Sequence, residues 1–217
     1  MRLIEELREE HRVIEQVVGS LRTFVDRMVR GEADAGDGDG FLRFFRTVVG
    51  GYHHAREEDV LFVALADEAG LPRDEGPIPS FREQHHEMAA TLDEMAPLLS
   101  GELPFGAGES LVALVTRYSH ALLRHIDAEN TVLFPESEQR LGMSGISELP
   151  GRPPTEAEAA ATAEGLRLVL RYPPQYDAEA IRGEGCVICP SLGTSCRGVE
   201  REWWNDSEWD EFSSRIS

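Results

Sequence analysis

A chain of 217 residues has room for one domain with an extension, or for one domain and a small second one. Its formal net charge of -19 excludes nucleic acid and an anionic membrane as partners, because there is no basic patch to release their counterions. No stretch is long and apolar enough to span a bilayer, the start already reads as amphipathic helix, and the 3 cysteines make no disulfide framework, so a cytoplasmic protein is expected.

Leu3, Leu7, His11, Ile14, Val18, Leu21, Val25 and Met28 follow one another at alternating steps of four and three, with Arg and Glu between them. That spacing predicts a long bundle helix ending at Gly31. Glu32 to Gly40 is acidic and glycine-rich, with little reason to order. A second helix is expected from near Gly40 through Phe45, Val49, His53, Glu57, Val60 and Ala64 to about Ala69, where Gly70 and Pro72 end it. Ser80, with Glu83 three residues on, suggests the N-cap of a third helix whose stripe is Phe81, His85, Met88, Leu92, Met95 and Leu99. The fourth runs from about Glu109 through Leu114, Tyr118, Leu122, His125, Glu129 and Val132 to about Arg140. Four helices with short loops predict an all-α, up-down-up-down four-helix bundle over residues 1–141, a class that builds metal sites on facing helices. A Gly/Ser/Pro linker, 142–154, leads to a C-terminal extension, 155–217, with an Ala/Glu-rich helical segment broken at Pro173-Pro174.

The chain states one motif twice. His53-His54-Ala55-Arg56-Glu57-Glu58-Asp59-Val60-Leu61-Phe62 and His125-Ile126-Asp127-Ala128-Glu129-Asn130-Thr131-Val132-Leu133-Phe134 share a frame: His, four on to Glu, then Val-Leu-Phe. The second copy selects His53 and Glu57 over His54 and Glu58 in the first. Residues four apart lie one turn apart on nearly the same helix face, so each copy presents an imidazole beside a carboxylate. His11 and His85 lie on the apolar stripes of the first and third helices, 42 and 40 residues before His53 and His125. Six such groups in an apolar bundle would each incur a desolvation cost of several kcal/mol, which coordination of a metal removes. The ligand set read from the sequence is therefore His11, His53, Glu57, His85, His125 and Glu129.

The remaining histidines sit off these positions. His54 and His86 each follow a ligand by one residue, about 100° around the helix, and His120 is about 140° away, so they face solvent or flank the site. His120 or His86 would add a ligand only if its helix were irregular. Tyr118 reads as core. Imidazoles and carboxylates with no cysteine in the bundle suit iron or manganese more than a structural zinc. A ferritin-like carboxylate bundle needs two Glu-x-x-His motifs, and the chain has only Glu83 to His86.

A helix-one histidine, His-x-x-x-Glu on helix two, a helix-three histidine and His-x-x-x-Glu on helix four resemble the hemerythrin-like, or HHE cation-binding, family, over residues 1 to about 140. The resemblance implies a non-haem di-iron site with a bridging oxo or hydroxo group. His11, His53, His85 and His125 would bind terminally, and Glu57 and Glu129 would bridge. Oxygen-carrying hemerythrins have a further histidine four places after the one matched by His85, where this chain has Ala89, and an Asp five places after the helix-four histidine, where this chain has Glu129 four after His125. Other members respond to oxygen, nitric oxide or peroxide, or are implicated in repairing iron centres. The expected ligand is thus a small diatomic or a peroxide at open iron positions.

In the extension, Cys186 and Cys189 at C-x-x-C spacing, with Cys196, are candidates for a second metal or redox site: zinc, an iron–sulfur cluster or a cycling dithiol. Trp203, Trp204 and Trp209 are expected to pack on the bundle. An alternative is a metal-dependent sensor or adaptor whose Cys/Trp tail engages a protein partner.

Overall fold

The four-and-three stripe of the first thirty residues folds as α1 (Arg2–Val29), and all eight of its positions from Leu3 to Met28 are buried. In the computed structural model, which describes residues 1–175, α2 runs as one rod over 37–67. It is α-helical over Asp37–Phe44 and Phe62–Asp67, with wider π-helical turns over Phe45–His54 and Glu57–Leu61. α3 is Pro77–Leu99. α4 covers 108–143, with one π-turn, Glu129–Leu133, between α-helical Gly108–Ala128 and Phe134–Met143. α5 is Glu156–Arg171. The described chain is all-helical, the first four rods forming the expected bundle.

Several boundaries differ from the sequence reading. α2 starts before Gly40 because Gly38 and Gly40 are contact points, not flexible links. A Cβ on Gly38 would come within 1.9 Å of the Leu99 carbonyl oxygen, so only glycine lets α2 approach the end of α3. The acidic loop before it is tied down as well: Arg171 donates to Asp34 at 3.4 Å, and Arg171 and the Tyr172 hydroxyl both donate to Asp37, the first residue of α2, at 3.0 and 2.6 Å. α3 begins at Pro77, whose ring suits a first helical position, after Gly76 at φ 75. Ser80 is therefore inside the helix, its hydroxyl donating to the Gly76 carbonyl at 2.9 Å. Val60 is only half-buried while Leu61 and Phe62 are fully buried, because the π-turn at 57–61 shifts the stripe by about one residue. On α4, Leu114 is likewise half-buried, and Leu111 and Val115 are buried on either side of it.

α4 packs on both α1 and α3, and α2 packs on α3 and α1. α5 lies over α1 and α2, entering the same core through Ala161 and Leu168, with Tyr172 just beyond its end. A Thr155/Glu158 capping box starts α5. Past its end, Thr23 of α1 donates to the Pro173 carbonyl at 2.6 Å, which holds the exit strand against the bundle. Buried apolar residues form two clusters. One gathers Ile14 to Met28 with the first half of α2 and the facing parts of α3 and α4; the other gathers Leu3, Ile4 and Leu7 with 61–81 and Leu133 to Leu149. The predicted ligand residues form a polar layer between them. Among the described residues no helix is long and apolar enough to cross a membrane. Cys186, Cys189, Cys196 and the three tryptophans lie outside the described residues.

Candidate metal centre

The structure brings all six predicted residues together. His11, His53, His85 and His125 are each at most 4% exposed, and Glu57 and Glu129 are fully buried. His11 and His53 face each other with Nε2 atoms 3.0 Å apart; His85 and His125 do the same at 3.1 Å. The carboxylates span the two pairs. Glu57 places one oxygen 3.4 Å from His53 Nε2 and the other 3.5 Å from His85 Nε2. Glu129 places its oxygens 3.2 Å from His11 Nε2 and 3.1 Å from His125 Nε2. Two buried donor groups result: His11, His53, Glu57 and Glu129 in one, and His54, Glu57, His85 and His125 in the other, with Glu57 common to both and Glu129 reaching across to His125.

Metal suits this arrangement on three counts. Donors on one ion, at about 2.0–2.2 Å and roughly 90–110° to one another, stand about 2.8–3.6 Å apart. Every separation just given falls in that interval. Second, among the described residues none of the four Glu57 and Glu129 oxygens has a hydrogen-bond partner, although all are buried. Third, each histidine commits its other nitrogen elsewhere, so in the neutral ring Nε2 carries a lone pair and two such atoms share no proton. Burial holds His53 down at about 4 against the opposing pull of Glu10, and it lowers His85 against the pull of Glu58. Burial likewise pushes the Glu57 carboxyl well up, with the charge of Glu129 adding to it. Lone pairs meeting lone pairs in an apolar interior are relieved by a cation.

A family model described as the hemerythrin HHE cation binding domain matches residues 2–137. The chain belongs to this hemerythrin family. No curated protein and no solved structure matches it.

Within this hemerythrin domain the outer nitrogens follow a rotation. Glu10, just before His11, accepts from His53 Nδ1 at 2.9 Å; Glu58, just after Glu57, accepts from His85 Nδ1 at 2.7 Å. Gln84, just before His85, accepts from His125 Nδ1 at 2.8 Å, and Asn130, just after Glu129, accepts from His11 Nδ1 at 3.0 Å. Each histidine is oriented by the neighbour of another ligand, and such partners fix ring direction and raise donor basicity. The four partners are half-buried. Sequence reasoning missed them because each is an ordinary polar residue in a charged helix. The signal was the repeat itself: Glu10 and Gln84 occupy one equivalent place, Glu58 and Asn130 the other. Glu58 is half-buried, and its carboxyl is held below the usual range by the bond from His85.

Arg56 completes the layer. Only 3% exposed, it binds Glu10 and Glu6 and lies over the Tyr52 ring at 4.6 Å, so it fixes the carboxylate that fixes His53. His54 does not face solvent: it is buried, stacked on His85 with ring centres 3.8 Å apart. In π-turns successive residues step by about 80° instead of 100°, which lets His53 and His54 both point inward. His86 is exposed and His120 half-buried, and neither joins the donor clusters among the described residues. Tyr118 is core, and burial raises its hydroxyl well above the ordinary value.

Proposed function

We propose that the hemerythrin domain holds two iron ions. His11 and His53 bind one, His85 and His125 the other, and Glu57 and Glu129 bridge, so that the pair binds, senses or reduces oxygen, peroxide or nitric oxide. The observation that carries this reading is the pair of carboxylates, each with one oxygen facing either histidine pair and none of those oxygens otherwise satisfied. Imidazole and carboxylate donors with no thiolate suit iron or manganese more than a structural zinc. Bound iron would supply one-electron redox change and coordination positions beyond the four protein donors.

The protein's own contribution is to hold and to shield. Glu10, Glu58, Gln84 and Asn130 keep every Nε2 lone pair aimed inward, so ligand geometry is set before metal arrives. Phe134 stacks on His11 at 5.4 Å and Phe81 tilts against His125 at 5.2 Å, closing the layer to water from the second apolar cluster. Metal analysis of protein from iron-supplemented cells tests the reading: two irons per chain and the near-ultraviolet charge-transfer bands of a bridged ferric pair are expected. One zinc per chain without iron would overturn it.

A further inference from the structure

Between α2, α3 and Tyr118 of α4 a cavity of about 270 Å³ reaches His85, one member of the second histidine pair, and His54. Its mouth is formed by exposed residues: Gly50, Ala89 and the Arg46–Asp93 ion pair, which closes at 2.7 Å. The walls, Phe45, Val49, Met88, Leu92 and Tyr118, are all buried and almost wholly apolar. At the inner end stand His54 and His85. His54 is 6% exposed, and its Nε2 is buried without a hydrogen-bond partner among the described residues. A polar atom in that condition is a cost that a bound partner would remove.

His54 lies close to the second donor set but is not arranged as a member of it. A donor atom of His54 is within 4.8 Å of donor atoms on Glu57, His85 and His125. Its ring, however, is nearly parallel to that of His85, 7° between planes at 3.8 Å. Two imidazoles on one ion converge on it edge-on, whereas rings stacked face to face direct their nitrogens side by side. An ion held by His85 would therefore have the His54 nitrogen beside it and free to meet a ligand.

We propose that this cavity is the approach path to the second iron position, and that His54, through its Nε2–H, donates a hydrogen bond to a small polar ligand bound there. Glycine and alanine at the mouth leave the space that larger side chains would fill. The inference rests on the di-iron reading and extends it by assigning one side of an otherwise symmetric centre to the ligand.

Azide, added to the oxidised, iron-loaded full chain, is the probe, followed by its charge-transfer band and by stopped-flow mixing. His54→Leu is expected to keep two irons per chain and weaken azide binding at least about tenfold; His54→Gln, which keeps a donor, is expected to recover most of it. Ala89→Phe is expected to slow azide association and dissociation together, leaving Kd unchanged. Unchanged azide affinity in His54→Leu would overturn the assignment, and so would iron loss in both His54 variants, which would make His54 a metal ligand instead. Unchanged azide rates in Ala89→Phe would overturn the path, even if His54→Leu does not fold. Absence of iron from the unaltered protein would strike at the di-iron reading itself, so the two failures are separable.

Discussion

Glu57 sends both oxygens between the histidine pairs, whereas Glu58, one residue on, leaves the interior and holds His85 from outside. The difference sets an order of effects. On the proposed di-iron reading, Glu57→Ala or Glu129→Ala removes a donor shared by the two ions and is expected to abolish binding of the pair. Glu58→Ala leaves the donors in place but frees one ring, and losing such a partner typically costs about 10–100-fold in metal affinity. Glu9→Ala, which removes only an exposed ion pair with Arg12, should change nothing. Iron content after dialysis against graded chelator ranks the four proteins; equal retention by Glu57→Ala and Glu9→Ala would show that Glu57 is not a bridge. That these six residues meet in the interior was legible in the sequence because a repeated motif selects its own register. Their orienting partners were not, since a carboxylate that binds a histidine and one that binds water look alike in a single chain.

At the scale of elements, the stripes of α1 and α3 were readable because α-helical periodicity held throughout them. It failed locally on α2 and α4, where π-turns begin at Glu57 and Glu129, the same residue of each repeat. Nothing in Glu-Glu-Asp-Val-Leu or Glu-Asn-Thr-Val-Leu signals the wider turn. Glycine was similarly misleading as a mark of looseness. A Cβ on Gly165 of α5 would lie 2.5 Å from Phe44 Cδ2, and Phe44 is fully buried and set edge-on against Phe45. Gly165→Ala gains about 1 kcal/mol of helix propensity but overpacks a rigid contact, typically a loss of about 1–3 kcal/mol. Net destabilisation is expected by urea titration, while Gly142→Ala, with nothing within 4 Å of its Cβ, should be neutral or stabilising. The cap of α5 carries a pH signature. Arg152, hydrogen-bonded to both oxygens of Glu158, holds its carboxyl at about 2, below the ordinary 4.5. A depressed carboxyl stabilises fully above its unfolded value, and the contribution is lost as pH falls from about 4.5 towards 2. Glu158→Gln should therefore lower stability by about 1 kcal/mol at neutral pH, with the gap to the unaltered protein closing by pH 2. A gap independent of pH would mean that the charge has no part in the cap.

For the molecule as a whole, the donor layer separates two apolar clusters that do not merge into one core. Without metal, the bundle must keep two carboxylates and four imidazoles dry and mutually unsatisfied. An ion bound only by the folded state adds about 2.7 kcal/mol at a hundredfold excess over Kd, which for a chain of this size is about 5–10 °C in Tm. Chelation is expected to lower Tm by at least that much in calorimetry, and an unchanged Tm would mean that the layer needs no ion. The bundle and its number of rods could be read in advance because spacing and loop lengths suffice for them. The place of α5 could not, since its docking depends on glycine contacts and on Tyr172 reaching Asp37, which no local pattern announces.

The rotation of outer-nitrogen bonds also has a consequence for the nascent polypeptide. The bond from His11 to Asn130 joins residues 119 apart and is the last link of the circle to be synthesised. Until the ribosome has passed that asparagine, the first histidine lacks its orienting amide and both positions lack Glu129. If the site holds metal as proposed, loading has to follow translation of the fourth rod, and a product truncated before it is expected to retain no metal through dialysis.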